Sequence, residues 1–229
     1  MSESAPQATR TRQIDLLDRR LYEEGPQETY AWLRANAPVY RDETNGLWGI
    51  SRHADVVAIS RDTDRFCSGE GSRPNTGSSG SMIDSDDPRH VAFRRVFARQ
   101  ITPRAVKQFA PRVRRIVDDL FEGLKGRTEF DLVQELAIPL PVRVILEALG
   151  LDDSDWRRYA HIAEITMAMG GGPRYQNDEG VEAAMAFYGE AVELAEQRRA
   201  APGEDWLSLI VKQADEGPAA RGPMEIAAE

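Results

Sequence analysis

Apolar residues recur at helical spacing through most of the chain. Between residues 103 and 126 they fall at three- and four-residue intervals, which predicts one helix of about five turns with a single apolar face. Thr102-Pro103 supplies a capping side chain and a proline at the first helical position, and Gly126 ends the pattern. The apolar positions of this helix are Val106, Phe109, Val113, Ile116, Val117, Leu120, Phe121 and Leu124.

Further helices are predicted on both sides of this one. Residues 136–149 are apolar nearly all round, which predicts burial on most sides, with Pro139 and Pro141 near the helix start. Short helical pieces are predicted within 14–36, with a break at Gly25-Pro26. Asp87-Pro88 and Asp152-Asp153-Ser154 are predicted to start two further helices. The remaining predicted helices cover 53–62, 87–100, 152–169, 178–199 and 206–213.

Extended structure is predicted only near the N-terminus and at one short piece. Asn45-Gly46 lies between the β-prone runs 39–41 and 47–51, a strong local signal for a hairpin. Phe130-Asp131-Leu132 is predicted to be a short extended piece. The sequence therefore predicts a mainly α fold with a small N-terminal β hairpin. Residues 1–13 are expected to be a flexible tail, and 217–229 to be weakly structured.

Residues 68–81 read SGEGSRPNTGSSGS, with four glycines, one proline and no apolar side chain. A loop of this length within a compact domain is usually functional or mobile. The sequence alone does not separate a functional loop from a disordered surface loop. A second break follows at Gly170-Gly171-Gly172-Pro173, where a hinge or turn is expected.

The composition sets the class of protein. The chain has 229 residues, 41% of them hydrophobic, and a formal net charge of −9, so it has enough apolar content for a core in one large domain or two small ones. No run of about 18 apolar residues is present, and the polar N-terminus does not look like a secretory signal. Cys67 is the only cysteine, which excludes an internal disulfide. We therefore expect a cytoplasmic protein.

Charge is unevenly distributed along the chain. Residues 88–128 hold 11 basic and three acidic residues, although the whole chain is acidic. This block indicates a local anion site or the docking of an acidic partner, and solvated helix faces explain it equally well. Nucleic-acid binding is a weaker reading, because no known nucleic-acid motif lies on the block.

Most catalytic and metal motifs are absent from the sequence. The three histidines, His53, His90 and His161, form no H-E-x-x-H motif, no Cys/His cluster has zinc spacing, and no G-x-S-x-G is present. His90 and Arg94, however, are four residues apart on a predicted helix and thus lie on one face. Two cationic donors above apolar side chains suit a flat apolar ligand with carboxylates at one edge, although this spacing alone is usually just surface.

The residues around this pair resemble the bacterial cytochrome P-450 (haem-thiolate monooxygenase) family. Residues 82–97 read MIDSDDPRHVAFRRVF and are followed by Ile101-Thr102-Pro103, which is similar to the family pattern D-x-P-x-H-x-x-x-R and a following (S/T)-P. Residues 47–56, 145–151 and 205–210 resemble further segments of the family in the same order. The resemblance runs from Ile14 to the end of the chain.

This resemblance implies a haem-dependent monooxygenase that inserts one oxygen atom from O2 into a small apolar substrate, such as a lipid, steroid or terpene-like molecule. His90 and Arg94 would bind haem propionates. The loop 68–81 would cover the substrate pocket, the helices around 170–173 would carry the loop that gates substrate access, and an acidic ferredoxin-type partner would dock on the 88–128 block. Residues 14–229 would be an incomplete P-450 domain, from the family's A to H helices and truncated before its central I helix.

The chain departs from the family where the iron is held. The family's axial cysteine lies in an F-x-x-G-x-x-x-C-x-G loop, which this sequence lacks, and its thiolate promotes O–O cleavage. Cys67 precedes the His90 helix and has its glycines after it, so we do not propose it as a metal ligand and expect a small, partly buried side chain. Glu196-Gln197-Arg198-Arg199 is not assigned the family's K-helix role.

We therefore expect no catalytic residue in this chain, doubtful haem binding, and no turnover by the chain alone. Helices 103–124 and 136–149 should leave an apolar patch exposed. The alternative function is a non-enzymatic helical module that binds an anionic apolar ligand at His90 and Arg94.

Overall fold

The structure is a computed structural model and describes residues 12–98 and 100–216. Contacts divide the chain into two compact units, Met1–Phe66 and Cys67–Glu229. The predicted tail 1–13 lies outside the described residues except for its last two positions, and the segment 217–229 lies wholly outside them. In the part of the chain that is described, no helix is both long and apolar enough to cross a membrane.

Within residues 12–66, the described part of the first unit, there are three helices and a hairpin. Its elements are α1 (Arg20–Glu23), α2 (Pro26–Asn36), β1 (Val39–Asp42), β2 (Leu47–Ile50) and α3 (His53–Arg61). The two strands are antiparallel, with Val39 opposite Ile50 and Asp42 opposite Leu47. The predicted hairpin is confirmed, and Gly46 has the positive φ of 69° that its turn requires.

The second unit consists of helices joined by irregular segments. Its helices are α4 (Arg89–Ala98), α5 (Pro103–Glu122), α6 (Pro139–Leu149), α7 (Trp156–Ala168), α8 (Asp178–Ala200) and α9 (Trp206–Glu216). The predicted Thr102 cap is confirmed, since its Oγ1 accepts from the Ala105 amide at 3.2 Å. The predicted cap at Asp152-Asp153-Ser154 is wrong, because α7 begins behind Asp155 without a side-chain cap hydrogen bond. Asn177, which the sequence analysis did not name, caps α8 by accepting from the Gly180 amide.

The packed core of this unit lies where α8 meets α9. Ala195 from α8 and three residues of α9 are buried together, and Phe97 of α4 packs against them. The three α9 residues are Ile210, Val211 and Ala214. This core fixes the position of α4, the helix that carries His90 and Arg94.

A further local prediction was wrong. Residues 130–132 are not an extended strand, because the Asp131 carboxylate accepts hydrogen bonds from the amides of Val133 and Gln134 and begins a π-helical turn (Val133–Ala137). The helix α6 is buried or half-buried over most of its length, as predicted, and only Pro141 and Ile145 among its residues are exposed. The fold class itself, mainly α with a small β hairpin, is confirmed.

Candidate functional site

The helix α4 presents the cationic pair predicted from the sequence. His90 lies in the first turn, half-buried, with its Nδ1 atom 3.5 Å from the Asp87 carboxylate. Arg94 lies one turn later and is exposed, and no described residue pairs with its guanidinium group. The unengaged arginine leaves donors available for an anionic ligand, and the histidine adds one at Nε2 when its ring is doubly protonated.

The apolar residues that continue this helical face have separate roles. Phe97 is half-buried and packs on the α8–α9 core. Ile101 follows the helix, is 59% exposed, and lines an apolar groove. The pair therefore lies on a helix whose far end is anchored in the core and whose continuation remains accessible.

That groove lies between α5, α6 and the start of α9 and has a volume of about 520 Å³. Phe109 and Trp206 meet there with their ring centroids 6.3 Å apart. Its other apolar lining residues include Val106, Val113, Val117, Val144 and Ile145. The exposed apolar patch expected from helices 103–124 and 136–149 is thus present on the surface of this unit.

The loop 68–81 is held in place by two carboxylates that the sequence interpretation had given no role. Asp84 is only 8% exposed and accepts from the amides of Ser72 and Ser79, each at 2.8 Å. Hydrogen bonds from Ser72 and Ser79 hold the pKa of Asp84 well below its usual range. Asp86 accepts from the Ser68 and Gly69 amides at 2.7 and 2.9 Å.

The sequence carries only a weak signal that Asp84 and Asp86 bind the loop 68–81. A glycine- and serine-rich loop has many backbone amides without a regular partner, and an acidic pair directly after it can accept from them. Which amides each carboxylate would reach depends on the loop conformation. The same loop also touches the Gly170–Pro173 turn, so the structure brings these two predicted segments together.

The basic block 88–128 presents several exposed cations. Arg112 and Arg115 are paired with Glu147 of α6 and are therefore partly neutralised. Other basic side chains of the block are exposed, and no described residue pairs with them: Arg94, Arg95, Arg104, Lys107 and Arg114. This surface remains cationic after internal pairing.

The remaining titratable candidates do not assemble into a metal site. Within 12–98 and 100–216, no three His, Cys, Asp or Glu side chains are arranged to hold a metal ion. His53 and His161 are exposed. Cys67 is exposed, so the expectation of a partly buried side chain was wrong: the chain is irregular there and offers no apolar packing around the thiol.

The residues on α4 fit one feature of haem, its pair of propionate carboxylates. Arginine and histidine donate charge-assisted hydrogen bonds to carboxylates, and their spacing places both on one helical face. Arg94 in particular has no internal acceptor among the described residues. The structure thus supplies hydrogen-bond donors for the propionate edge of haem.

Comparisons with known proteins identify the family. No family model matches the chain. A Bacillus subtilis protein named as a cytochrome P-450, YjiB, is 33% identical over 205 residues, which cover 84% of this chain and 50% of that protein. Nocardicin C N-oxygenase of Nocardia uniformis is 35% identical over 199 residues, covering 82% of this chain and 49% of the enzyme.

The fold agrees with these similarities. A Mycobacterium marinum cytochrome P-450, solved in complex with pseudoionone, matches with a TM-score of 0.78 and 26% identity, and the match covers 96% of this chain and 60% of that one. The chain spans about half the length of the curated relatives it matches. The sequence similarity, the shared fold and the α4 motif together show that this chain belongs to the bacterial cytochrome P-450 family.

Proposed function

We propose that this chain is part of a haem-dependent monooxygenase that inserts one oxygen atom from O2 into a small apolar substrate. The observation that carries the proposal is the pair of cationic donors His90 and Arg94, one turn apart on α4, in a chain of this family. Residues 14–229 would form one portion of a P-450 domain, which is supported by structural matches that run through nearly the whole chain.

His90 and Arg94 would each bind a haem propionate. When bound, haem supplies the O2-activating iron for the oxygenation. In its doubly protonated form the His90 ring would donate from Nε2 to the propionate, while its Nδ1 atom faces the Asp87 carboxylate, a contact that orients the ring. Arg94 would donate through its planar fork, a geometry that matches carboxylates.

The substrate would be apolar and small, and loop 68–81 would cover it. The Mycobacterium marinum relative was solved with pseudoionone, which supports an apolar substrate class for this chain. The hydrogen bonds to Asp84 and Asp86 would hold the loop in a defined shape, as selection among apolar molecules by shape requires.

An acidic redox partner of the ferredoxin type would dock on the 88–128 surface. Support comes from the exposed cations of this block that have no partner among the described side chains, Arg95, Arg104, Lys107 and Arg114. Opposite charge would raise the association rate of such a partner and make it depend on ionic strength.

Cys67 would not supply the axial thiolate, and the 229 residues by themselves would not turn over substrate. The exposure of Cys67 supports this, because the protein shell around a metal ligand controls the access of solvent to the metal, and no such shell of described residues surrounds this thiol.

Hemin titration of the purified chain tests the proposal. We expect saturable binding, read by absorbance, that weakens by roughly tenfold in His90→Ala and in Arg94→Ala, since each loses a charge-assisted hydrogen bond. Arg95→Ala is the matched control, because Arg95 is an exposed neighbour on the same helix and is expected to leave the affinity unchanged.

Two results would contradict the proposal. One is hemin binding that is insensitive to both substitutions on α4, or equally sensitive to Arg95→Ala. The other is the absence of any saturable hemin binding. If the carbon monoxide complex has the absorbance of a thiolate-ligated haem and loses it in Cys67→Ser, Cys67 is the axial ligand and our assignment is wrong.

A further inference from the structure

The first turn of α4 is bound to the start of the loop 68–81 through Asp86. One oxygen of the Asp86 carboxylate accepts from the Ser68 amide at 2.7 Å, and the other accepts from the Gly69 amide at 2.9 Å. A Cβ atom on Gly69 would lie 2.6 Å from Oδ2 of Asp86, so a side chain at position 69 would push this carboxylate away. The Asp86 carbonyl accepts from the His90 amide at 2.9 Å. Asp86 therefore connects the start of the loop directly to His90.

Arg89 binds the same helical turn to the end of the loop. Nη2 of Arg89 donates to the Gly80 carbonyl at 3.1 Å. The guanidinium carbon of Arg89 also lies 4.9 Å from the centre of the Phe93 ring, and Phe93 is only 5% exposed. A cation held over a buried ring has a defined position, from which its head group reaches the loop. The first turn of α4 is thus attached to both ends of the loop 68–81.

His90 lies in the turn that carries both attachments. Its amide is bound by the Asp86 carbonyl, and its Nδ1 atom faces the Asp87 carboxylate at 3.5 Å. Arg94 lies one turn later, nearer to the end of α4 that packs on the α8–α9 core. A displacement of the loop ends would therefore move the His90 ring more than it moves Arg94.

We propose that Asp86 and Arg89 are positioning residues for His90. Together they fix the first turn of α4 to the two ends of the loop 68–81, and so they set the place and orientation of the His90 ring. The consequence for haem, a propionate contact whose strength depends on these two side chains, rests on the proposed function. Neither side chain binds the propionate itself, because Asp86 is an anion and the head group of Arg89 lies at the Gly80 carbonyl.

Nuclear magnetic resonance of the histidine rings tests the positioning without haem. The full 229-residue chain has three histidines, so the ring signals of a histidine-labelled sample can be followed one by one. We expect the His90 signals to shift in Asp86→Ala and in Arg89→Ala, whereas the signals of His53 and His161 stay in place and show that the variants are folded. Arg89→Lys should keep the wild-type signals, because its ammonium group can donate to the same loop carbonyl.

Gly69→Ala tests the same attachment from the loop side. The added methyl group displaces the Asp86 carboxylate without changing α4 or any charge, so the His90 signals should shift as they do in Asp86→Ala. This variant also decides the matter if Asp86→Ala fails to fold. Arg95→Ala is the matched control, since Arg95 is an exposed arginine of the same helix. Unchanged His90 signals in Gly69→Ala or in Arg89→Ala, or an equal shift in Arg95→Ala, would overturn the proposal.

Hemin titration separates positioning from charge. Removal of the Asp86 carboxylate would strengthen the binding of an anionic ligand if charge alone mattered, whereas a loss of positioning weakens it. We expect Asp86→Ala to weaken hemin binding by about fivefold. The same loss should persist in an Arg94→Ala background and disappear in a His90→Ala background. Tighter binding in Asp86→Ala, or a further loss in the His90→Ala background, would show that Asp86 does not act through His90.

The two measurements distinguish failure of this proposal from failure of the proposed function. If hemin binding does not depend on His90 at all, the proposed function is wrong. The ring signals, recorded without haem, still decide whether Asp86 and Arg89 position His90.

Discussion

At the scale of single residues, one buried carboxylate organises a segment that has no apolar side chain of its own. The loop 68–81 cannot be held by hydrophobic packing, and its amides need acceptors. Asp84 provides them to Ser72 and Ser79 from a position that is nearly inaccessible to water. A hydrogen bond to a charged acceptor in such a site contributes more to stability than one on the surface.

We expect Asp84→Asn to lower the free energy of unfolding by about 2 kcal/mol. The two Asp84 oxygens together accept three hydrogen bonds from Ser72 and Ser79, whereas an asparagine amide has one accepting oxygen and an NH2 group that only donates. Urea denaturation measures this value. Glu70→Gln is the control, since Glu70 lies in the same loop, is exposed, and should change stability little. Equal losses in the two variants would show that Asp84 does not anchor the loop.

The same residue predicts the sign of a pH dependence. The pKa of Asp84 is lowered in the folded protein, so its contribution is fully present above its unfolded pKa of about 3.9 and declines as the pH falls below that value. The stability difference between the wild type and Asp84→Asn should therefore narrow in acid, which urea denaturation at a series of pH values would detect. A difference that widens in acid would contradict the assignment.

At the scale of elements, α7 and α8 are tied by a polar network around Glu190. Arg158 donates to both carboxylate oxygens of Glu190 at 2.9 and 3.0 Å, and the Tyr159 hydroxyl donates to the same carboxylate at 2.6 Å. The Tyr159 ring also meets Phe187 edge to face, with centroids 6.3 Å apart. These contacts fix the helix pair that flanks the Gly170–Pro173 turn.

Burial and the Glu190 carboxylate raise the pKa of Tyr159 to about 12. A raised pKa means that this contribution to stability is complete below the unfolded value of about 10 and is lost as the pH rises through about 12. In Glu190→Gln we expect the pKa of Tyr159 to move toward 10 and unfolding to become easier by about 1–2 kcal/mol. Ultraviolet titration of the tyrosines and urea denaturation measure the two effects.

Glu193→Gln is the matched control for this helix pair, because Glu193 is exposed on α8 and close in sequence to Glu190. It should leave both the tyrosine titration and the stability near their wild-type values. If the pKa of Tyr159 is the same in Glu190→Gln as in the wild type, the network does not control it.

At the scale of the whole molecule, two isoleucines on the helices α5 and α6 differ in their exposure to solvent. Ile116 of α5 is completely buried, whereas Ile145 of α6 lines the groove and is more than half exposed. A concave apolar surface of this kind promotes association or ligand binding. The groove, and not the core, is therefore expected to govern self-association of this chain.

We expect Ile145→Gln to reduce self-association and the binding of an apolar fluorescent dye, with a change in stability below about 0.5 kcal/mol, because the side chain is already hydrated. Sedimentation velocity and dye fluorescence measure these effects. Met185→Gln is the control, since Met185 is an exposed apolar residue of α8 outside the groove lining. Equal effects of the two substitutions would show that the groove has no special role.

The sequence by itself determined the helices, the hairpin and the α4 cationic pair. These features follow from short-range rules: a helical period places His90 and Arg94 on one face, Thr102 caps α5 within its own first turn, and Asn45-Gly46 closes a turn between adjacent strands. The family resemblance was carried by the same local patterns, since each motif is a short run of residues in a fixed order.

The tertiary structure alone decided which side chains meet across long stretches of chain. The hydrophobic periodicity of the sequence does not predict these contacts. They are the hydrogen bond from Ser72 to Asp84, the approach of Pro74 to Gly172, and the burial of Ile116 but not of Ile145. The Asp131 turn shows the same limit at short range, because a side-chain acceptor begins a helical turn where a short extended piece was predicted. Local patterns fix the direction of a side chain relative to its helix, and only packing between helices fixes what that side chain touches.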